Sequence, residues 1–316
     1  MNATDDRLDE VIAGIIMGVI GTFGIIMNLT VVYLICCTSS FHNAFGYICA
    51  SHLLADVGLL TAFLFWATPA SLLGLPQTVT DSLVGKKIGQ FSMLFWYASM
   101  YGQLQLAVNR LLSILTPIRY NNIFSKQRTF QILGIFWIIS FLHIVLYFWD
   151  GCDFRYDVHS LAWLYADTPC GTLISFYGDF AHGTALCIIV ISMNTVTCVA
   201  ICKEAKRLSR STNRANDMAK FKRNIQLYIQ VCIQACCFAL MISSFHLISR
   251  LTQGKWPSFF LTTFVWETCH ALDGVIMFFC CDNFRRILCR PANILRIQLN
   301  GEKITKSVLI STRTRI

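Results

Sequence analysis

In 316 residues the chain carries 55% hydrophobic and only 14% charged residues, a balance that excludes a water-soluble domain of ordinary usage. The net charge of +9 does not point to nucleic acid, because the Lys and Arg residues flank long apolar runs instead of gathering on a soluble domain. Nor do the 15 cysteines mark a disulfide scaffold. Most of them, including Cys36, Cys49, Cys187, Cys198, Cys232, Cys236, Cys237 and Cys269, lie in apolar stretches, where Cys behaves as a small hydrophobe.

A bilayer core of roughly 30 Å requires about 20 apolar residues per helix, and seven stretches meet that length: 11–35, 47–73, 88–115, 130–148, 173–201, 225–248 and 259–281. The fold class that follows is an all-α membrane protein, a seven-helix transmembrane bundle in a lipid bilayer. Residues 1–10 form an outer N-terminus, 11–290 the bundle with a short amphipathic eighth helix, and 291–316 a cytoplasmic tail. The first span has an acidic approach (Asp5, Asp6, Asp9, Glu10) and exceeds the length of a cleaved signal peptide, so it is retained. Of the 26 basic residues, 20 fall at the cytosolic end of the third span, in the odd-numbered connections and in the tail. Only Arg7, Lys86, Lys87, Arg155, Arg250 and Lys255 lie on the other side. The positive-inside rule then places the N-terminus outside the cell. The sequon Asn2-Ala3-Thr4 lies on that outer side and is a glycosylation candidate.

Asp56, Asp179, Glu267 and Asp273 fall within spans, where each ionised acid costs about 2.5 to 3.5 kcal/mol on insertion scales, so all four are expected to face the interior. For Asp179 a packing role stands beside a functional one. Glu267, His270 and Asp273 recur every three residues and therefore follow one stripe of a helix, which predicts a joint polar network. His52, His143, His182 and His246 are dispersed over four spans without the spacing of a membrane metal centre, so they are expected to be structural or pocket-lining. No nucleophile elbow, phosphate loop or repeated glycine filter occurs, which leaves an enzyme or a nucleotide-driven pump without support. A proton- or cation-coupled transporter is the competing class, disfavoured by the absence of a visible internal repeat. A neuropeptide or amine receptor is a second alternative, since Asp150, Asp153, Asp157 and Asp167 make the outer loop acidic.

At the end of the third span, Asn109-Arg110 followed by Pro117 resembles the Asp/Glu-Arg-Tyr segment of rhodopsin-like receptors. Asn28, Leu53-Leu54-Ala55-Asp56 and Trp137 resemble that family's landmarks in order. Asp273-Gly274-Val275-Ile276-Met277 with Phe284 looks like a degenerate form of its seventh-span motif and eighth helix. Two departures stand out: Gly85-Lys86-Lys87-Ile88-Gly89 lacks the third-span cysteine, and the sixth span lacks the Cys-Trp-x-Pro motif. Asn109-Arg110, Pro117 through Ser125, the loop from Gly151 to Cys170, and Trp266-Glu267 with His270-Ala271-Leu272-Asp273-Gly274 are similar to the nematode serpentine receptor class X. The resemblance implies a chemoreceptor of the plasma membrane or sensory cilium that binds an environmental small molecule and signals through a heterotrimeric G protein.

Several site assignments rest on that resemblance. Asn109, Arg110, Pro117 and Tyr120 are the expected coupling surface. No acid precedes Arg110, and the approach to the sixth span (Lys220-Phe221-Lys222-Arg223-Asn224) is basic, so resting-state restraint must come from hydrogen bonds such as those of Asn109 and Tyr120, or from packing. Asp56, Ser99, Asp273 and Asn28 correspond to a sodium pocket, and two neighbouring carboxylates imply that a sodium ion or a proton binds there. With the third-span cysteine missing, Cys152 and Cys170 are expected to pair within the outer loop. Cys289, beside an amphipathic segment, is a palmitoylation candidate.

Overall fold

The computed structural model describes residues 3–208, 214–281 and 284. Asn2, Cys289, the stretch after Phe284 expected to form the eighth helix and the tail 291–316 lie outside them. Seven long helical segments make the bundle. They are α1 (Ala3–Cys37), α2 (Ala44–Ala62), α3 (Leu83–Leu115), α4 (Lys126–Ile144), α5 (His182–Leu208), α6 (Arg214–Ser243) and α7 (Val265–Cys280). Five helical runs are long and apolar enough to cross a membrane by length and composition, those built on α1, α2, α4, α5 and α6. Helix α3 is less apolar because its inner face carries buried Gln90, Ser99, Gln103, Gln105, Asn109 and Arg110. That is the composition of a helix surrounded by other helices, not by lipid.

Helix α1 begins at Ala3, so the acidic approach is helical and not a separate extended segment. Asp5 and Asp6 lie in its first turn, where carboxylates complement the helix dipole. Arg7 donates to Glu10 Oε2 (3.0 Å) and to the Ser71 carbonyl (2.7 Å) at the end of the second span. Trp256 Nε1 donates to Asp9 Oδ1 (2.9 Å) and ties the start of the seventh span to the same turn.

Among the described residues, four wide π-helical turns interrupt the spans in the halves on the N-terminal side of the bundle: Phe63–Ala67, Ile174–Ala181, Ser244–Ile248 and Phe260–Phe264. Such turns frequently mark functional sites, because the extra residue redirects side chains without a proline. The sixth span, which lacks the expected proline motif, carries one.

The outer loop after α4 folds into an antiparallel hairpin of β1 (Phe154–Asp157) and β2 (Ala162–Tyr165), with Phe154 opposite Tyr165 and Asp157 opposite Ala162. Cys152 and Cys170 are disulfide-bonded and close the loop on itself. Without a cysteine on α3, other contacts hold the hairpin down. Lys86 pairs with Asp153 (2.6 Å) and Arg155 with Asp81 (2.5 Å). Gly89 of α3 lies against the Phe154 carbonyl, where a Cβ would sit 1.8 Å from that oxygen. Tyr156 reaches Ser71 Oγ (2.8 Å) and Thr263 donates to the Leu161 carbonyl (2.8 Å). Burial pushes the Tyr156 hydroxyl above the ordinary tyrosine range, so it remains a neutral hydrogen-bonding group.

Two predictions follow from this packing. Cys152→Ser with Cys170→Ser should lower the stability of the purified protein by about 3 kcal/mol, the chain-entropy value for a loop of this size, read as an earlier thermal transition in detergent. Gly274→Ala should cost about 1 to 3 kcal/mol by overpacking, since a Cβ at 274 would lie 2.6 Å from Asn28 Oδ1 and 2.9 Å from the Asn28 backbone nitrogen. The same melt, with surface labelling in cells, checks it.

Candidate functional site

Three polar levels follow one another along α3. The outermost lies beneath the hairpin. Asp179, in the π turn of the fifth span and 5% exposed, accepts from three elements. Trp96 Nε1 of α3 donates to Oδ1 (2.8 Å), Tyr165 of β2 donates its hydroxyl to Oδ2 (2.7 Å), and His246 Nε2 of the sixth span lies 3.1 Å from Oδ2. A narrow cavity of about 20 Å³ adjoins this knot. Asp179 and His246 are the ionisable groups in its wall, and Met93, Phe154, Phe245 and Trp266 are among the apolar ones. That volume accommodates about one water, so any larger occupant requires the aromatic walls to move.

The middle level gathers residues from five helices. Asp56 Oδ1 receives Ser99 Oγ at 2.8 Å and His270 Nδ1 at 2.7 Å. Asp273 Oδ1 accepts from Gln234 Nε2 of α6 (2.9 Å). Between the two acids stands His52, with Nε2 3.2 Å from Asp273 Oδ2 and 3.5 Å from Asp56 Oδ2, and Nδ1 3.3 Å from Ser99 Oγ. Asn28 of α1 donates to the His270 carbonyl (3.0 Å). The structure thus brings Asn28, Asp56, Ser99, His270 and Asp273 together.

One expectation is corrected here. Glu267 does not join the stripe: it is fully buried, and neither carboxyl oxygen has a hydrogen-bond partner. Its Oε1 would lie 3.0 Å from a Cβ at Gly21, so it faces α1, while His270 and Asp273 turn towards α2 and α6. The 3.6-residue pitch rotates positions three apart by about 60°, enough over two steps to separate the ends of the stripe. The four histidines stay on four spans, and each has a partner there. His52 completes the acidic pair, His246 binds Asp179, and His143 and His182 lie 4.8 Å apart between ring centroids, both in reach of the Tyr101 hydroxyl (3.3 and 3.1 Å).

His52 had a readable signal, since it lies four residues before Asp56 on the same helix face. Gln103 stands in the same relation to Ser99. Gln234 and the His246–Asp179 pair join different helices and carry no local signal.

The innermost level holds Asn109 and Arg110, 0% and 6% exposed. Asn109 Nδ2 donates to the Tyr120 hydroxyl (2.8 Å), and the Arg110 guanidinium lies 3.6 Å from the centre of the Phe45 ring. Pro117 opens the short helix Pro117–Ile123 that carries Tyr120. Burial raises the Tyr120 hydroxyl above its ordinary range, so its bond with Asn109 is a neutral one. The Lys220, Lys222, Arg223 and Asn224 side chains lie outside the described residues.

Comparison with known proteins matches this architecture. Serpentine receptor class X 45 of Caenorhabditis elegans is 24% identical over 311 residues, covering 90% of this chain and 84% of that protein. Serpentine receptor class X-43 of the same organism is 24% identical over 297 residues, covering 90% and 89%. Adenosine receptor A2b of Gallus gallus is 26% identical over 132 residues, covering 39% of this chain and 35% of that receptor. The family model of the serpentine type 7TM GPCR chemoreceptor Srx spans residues 19–281, and the chain belongs to that family of multi-pass membrane receptors.

Proposed function

We propose that this chemoreceptor takes a small, largely apolar molecule into the cavity beneath the hairpin and passes the change along α3 to a heterotrimeric G protein at Arg110. The observation that carries the reading is Asp179. A single buried carboxylate in the cavity wall joins α3, the outer loop and the sixth span, so a ligand that displaces one donor alters contacts in all three. The N-terminus lies outside the cell and the basic face in the cytoplasm, a reading supported by the 20-to-6 division of basic residues and by a disulfide in the loop assigned to the oxidising side. A plasma-membrane or ciliary location follows from the same reading.

Asn109, Arg110, Pro117 and Tyr120 form the coupling surface. Stacking of Arg110 over Phe45 and the neutral Asn109–Tyr120 bond both contribute to holding the resting state. Glycosylation at Asn2 and palmitoylation at Cys289 belong to the same proposal, as modifications of the outer and inner faces.

Asp179→Asn keeps the shape of the residue but turns an amide NH₂ towards one of the three donors. It should raise the half-maximal ligand concentration at least about tenfold, equivalent to 1.4 kcal/mol, at unchanged surface level. Dose–response curves in a cell reporter, found by screening volatile and water-soluble compounds, measure this; an unshifted curve removes Asp179 from the ligand site.

Arg110→Ala should abolish signalling with surface labelling intact, whereas Tyr120→Phe should raise basal signalling about fivefold for the loss of a neutral bond worth about 1 kcal/mol. Full signalling by Arg110→Ala at normal surface level would refute the coupling role.

A further inference from the structure

Atom by atom, the middle polar level has the form of a ligand set. His52 Nε2, Asp56 Oδ2 and Asp273 Oδ2 converge, with His52 Nε2 at 3.2 Å from Asp273 Oδ2 and 3.5 Å from Asp56 Oδ2. One ligand atom from each of the three residues lies within 4.8 Å of the others. A tetrahedral ion bound to nitrogen and oxygen at about 2.0 to 2.2 Å spaces its ligands by about 3.3 to 3.5 Å, close to both separations.

Two buried oxygens at this point are unused. Asp56 Oδ2 and Gln103 Oε1 accept no hydrogen bond, although their residues are 0% and 3% exposed. The amide of Gln103 already reaches within 3.1 Å of His52 Nε2 through its nitrogen, and a half-turn of that amide places its oxygen there. A buried acceptor with no donor costs about 1 to 3 kcal/mol, more for a charged one, and a cation among them satisfies both.

The hydrogen bonds fix the imidazole for the task. The hydroxyl proton of Ser99 is given to Asp56 Oδ1, so towards His52 Nδ1 Ser99 Oγ accepts. Nδ1 therefore carries a proton, and Nε2 is the ring atom turned towards the two carboxylates. A metal ion bound at Nε2 takes the place that a second ring proton would otherwise fill between them. Holding the far ring nitrogen is the arrangement that orients a metal-bound histidine.

Charge and ligand type select the ion. Two carboxylates carry two negative charges, which one divalent ion neutralises, while a sodium ion leaves a net charge buried at membrane depth. An imidazole ligand favours zinc and its transition-metal neighbours over ions that prefer all-oxygen sites. We propose that His52, Asp56 and Asp273, completed by Gln103, bind one zinc-class divalent ion that fastens α2, α3 and α7 at the centre of the bundle, in place of the sodium ion or proton expected from the sequence.

The test uses the full-length protein, purified in detergent without a histidine tag, stripped by a chelator and titrated with Co²⁺. About one ion should bind per chain, giving the visible absorption of tetrahedral cobalt without the near-ultraviolet band of cysteine ligation, and Zn²⁺ should raise the melting temperature. Ser99→Ala should weaken binding about 10- to 100-fold, and His52→Gln should abolish it while the metal-free protein still melts cooperatively. If His52→Gln does not fold, Asp273→Asn provides the same readout. A folded wild-type protein that binds no Co²⁺, binds it through cysteine, or binds it equally after His52→Gln or Asp273→Asn overturns the proposal and leaves protons as the compensating charge.

Discussion

A carboxylate at hydrocarbon depth must be compensated, and the bundle is organised around meeting that demand at Asp56, Asp179 and Asp273. Each acid draws partners from beyond its own helix: Ser99 and His270 for Asp56, Trp96, Tyr165 of the hairpin and His246 for Asp179, Gln234 and His52 for Asp273. In lipid there is no hydrophobic force between helices, so packing and polar contacts of this kind decide which faces meet. Removing one partner leaves a charge that neither water nor lipid can solvate. The polar contacts therefore select the arrangement, and close approach between α1 and α7, where Gly24 meets Ala271 and Gly274 meets Asn28, fits the backbones to it.

The outer loop illustrates a different solution to anchoring. A disulfide from loop to third helix would fix the lid by a covalent bond. Here the disulfide only closes the loop, and the lid is seated by ion pairs at Lys86 and Arg155, by backbone contact at Gly89 and by aromatic packing. Trp163 stacks on Phe154 at 5.7 Å and meets Trp266 of α7 edge-on at 6.3 Å. Trp266 in turn lines the cavity. The lid is thus mechanically continuous with the cavity wall, through contacts that can slide in a way a covalent tether cannot.

Much of this was legible in the sequence. Apolar length reveals the spans, and residues at fixed distances from Arg110, such as Ser99, the interior of α3. The loop cysteines were readable because proximity in the chain limits their partners. What was not legible is whatever depends on helix rotation and neighbour choice. Glu267 and Asp273 share a helix, yet face different partners. The union of His246 with Asp179 spans 67 residues and follows from the π turns, which no local pattern announces. His143 and His182 meet because the bundle brings positions from two separate helices to one depth.

Helix α3 connects the three levels. Trp96, Ser99, Gln103 and Arg110 recur at intervals of three, four and seven residues, which keeps them on one face over about 21 Å of helix. Trp96 binds Asp179 and also meets the His270 ring edge-on at 5.8 Å, so a residue of the cavity wall touches a residue of the middle cluster. Ser99 and Gln103 contact that cluster directly, and Arg110 ends the stripe against Phe45 of α2, the helix that also carries His52 and Asp56. A rotation or shift of α3 relative to α2 must therefore break contacts at the middle and inner levels together. Linkage requires only that a ligand favour one of two such registers. A stripe whose members each bind a neighbouring helix supplies two registers with different hydrogen-bond sets, where a uniformly apolar seam would slide without preference.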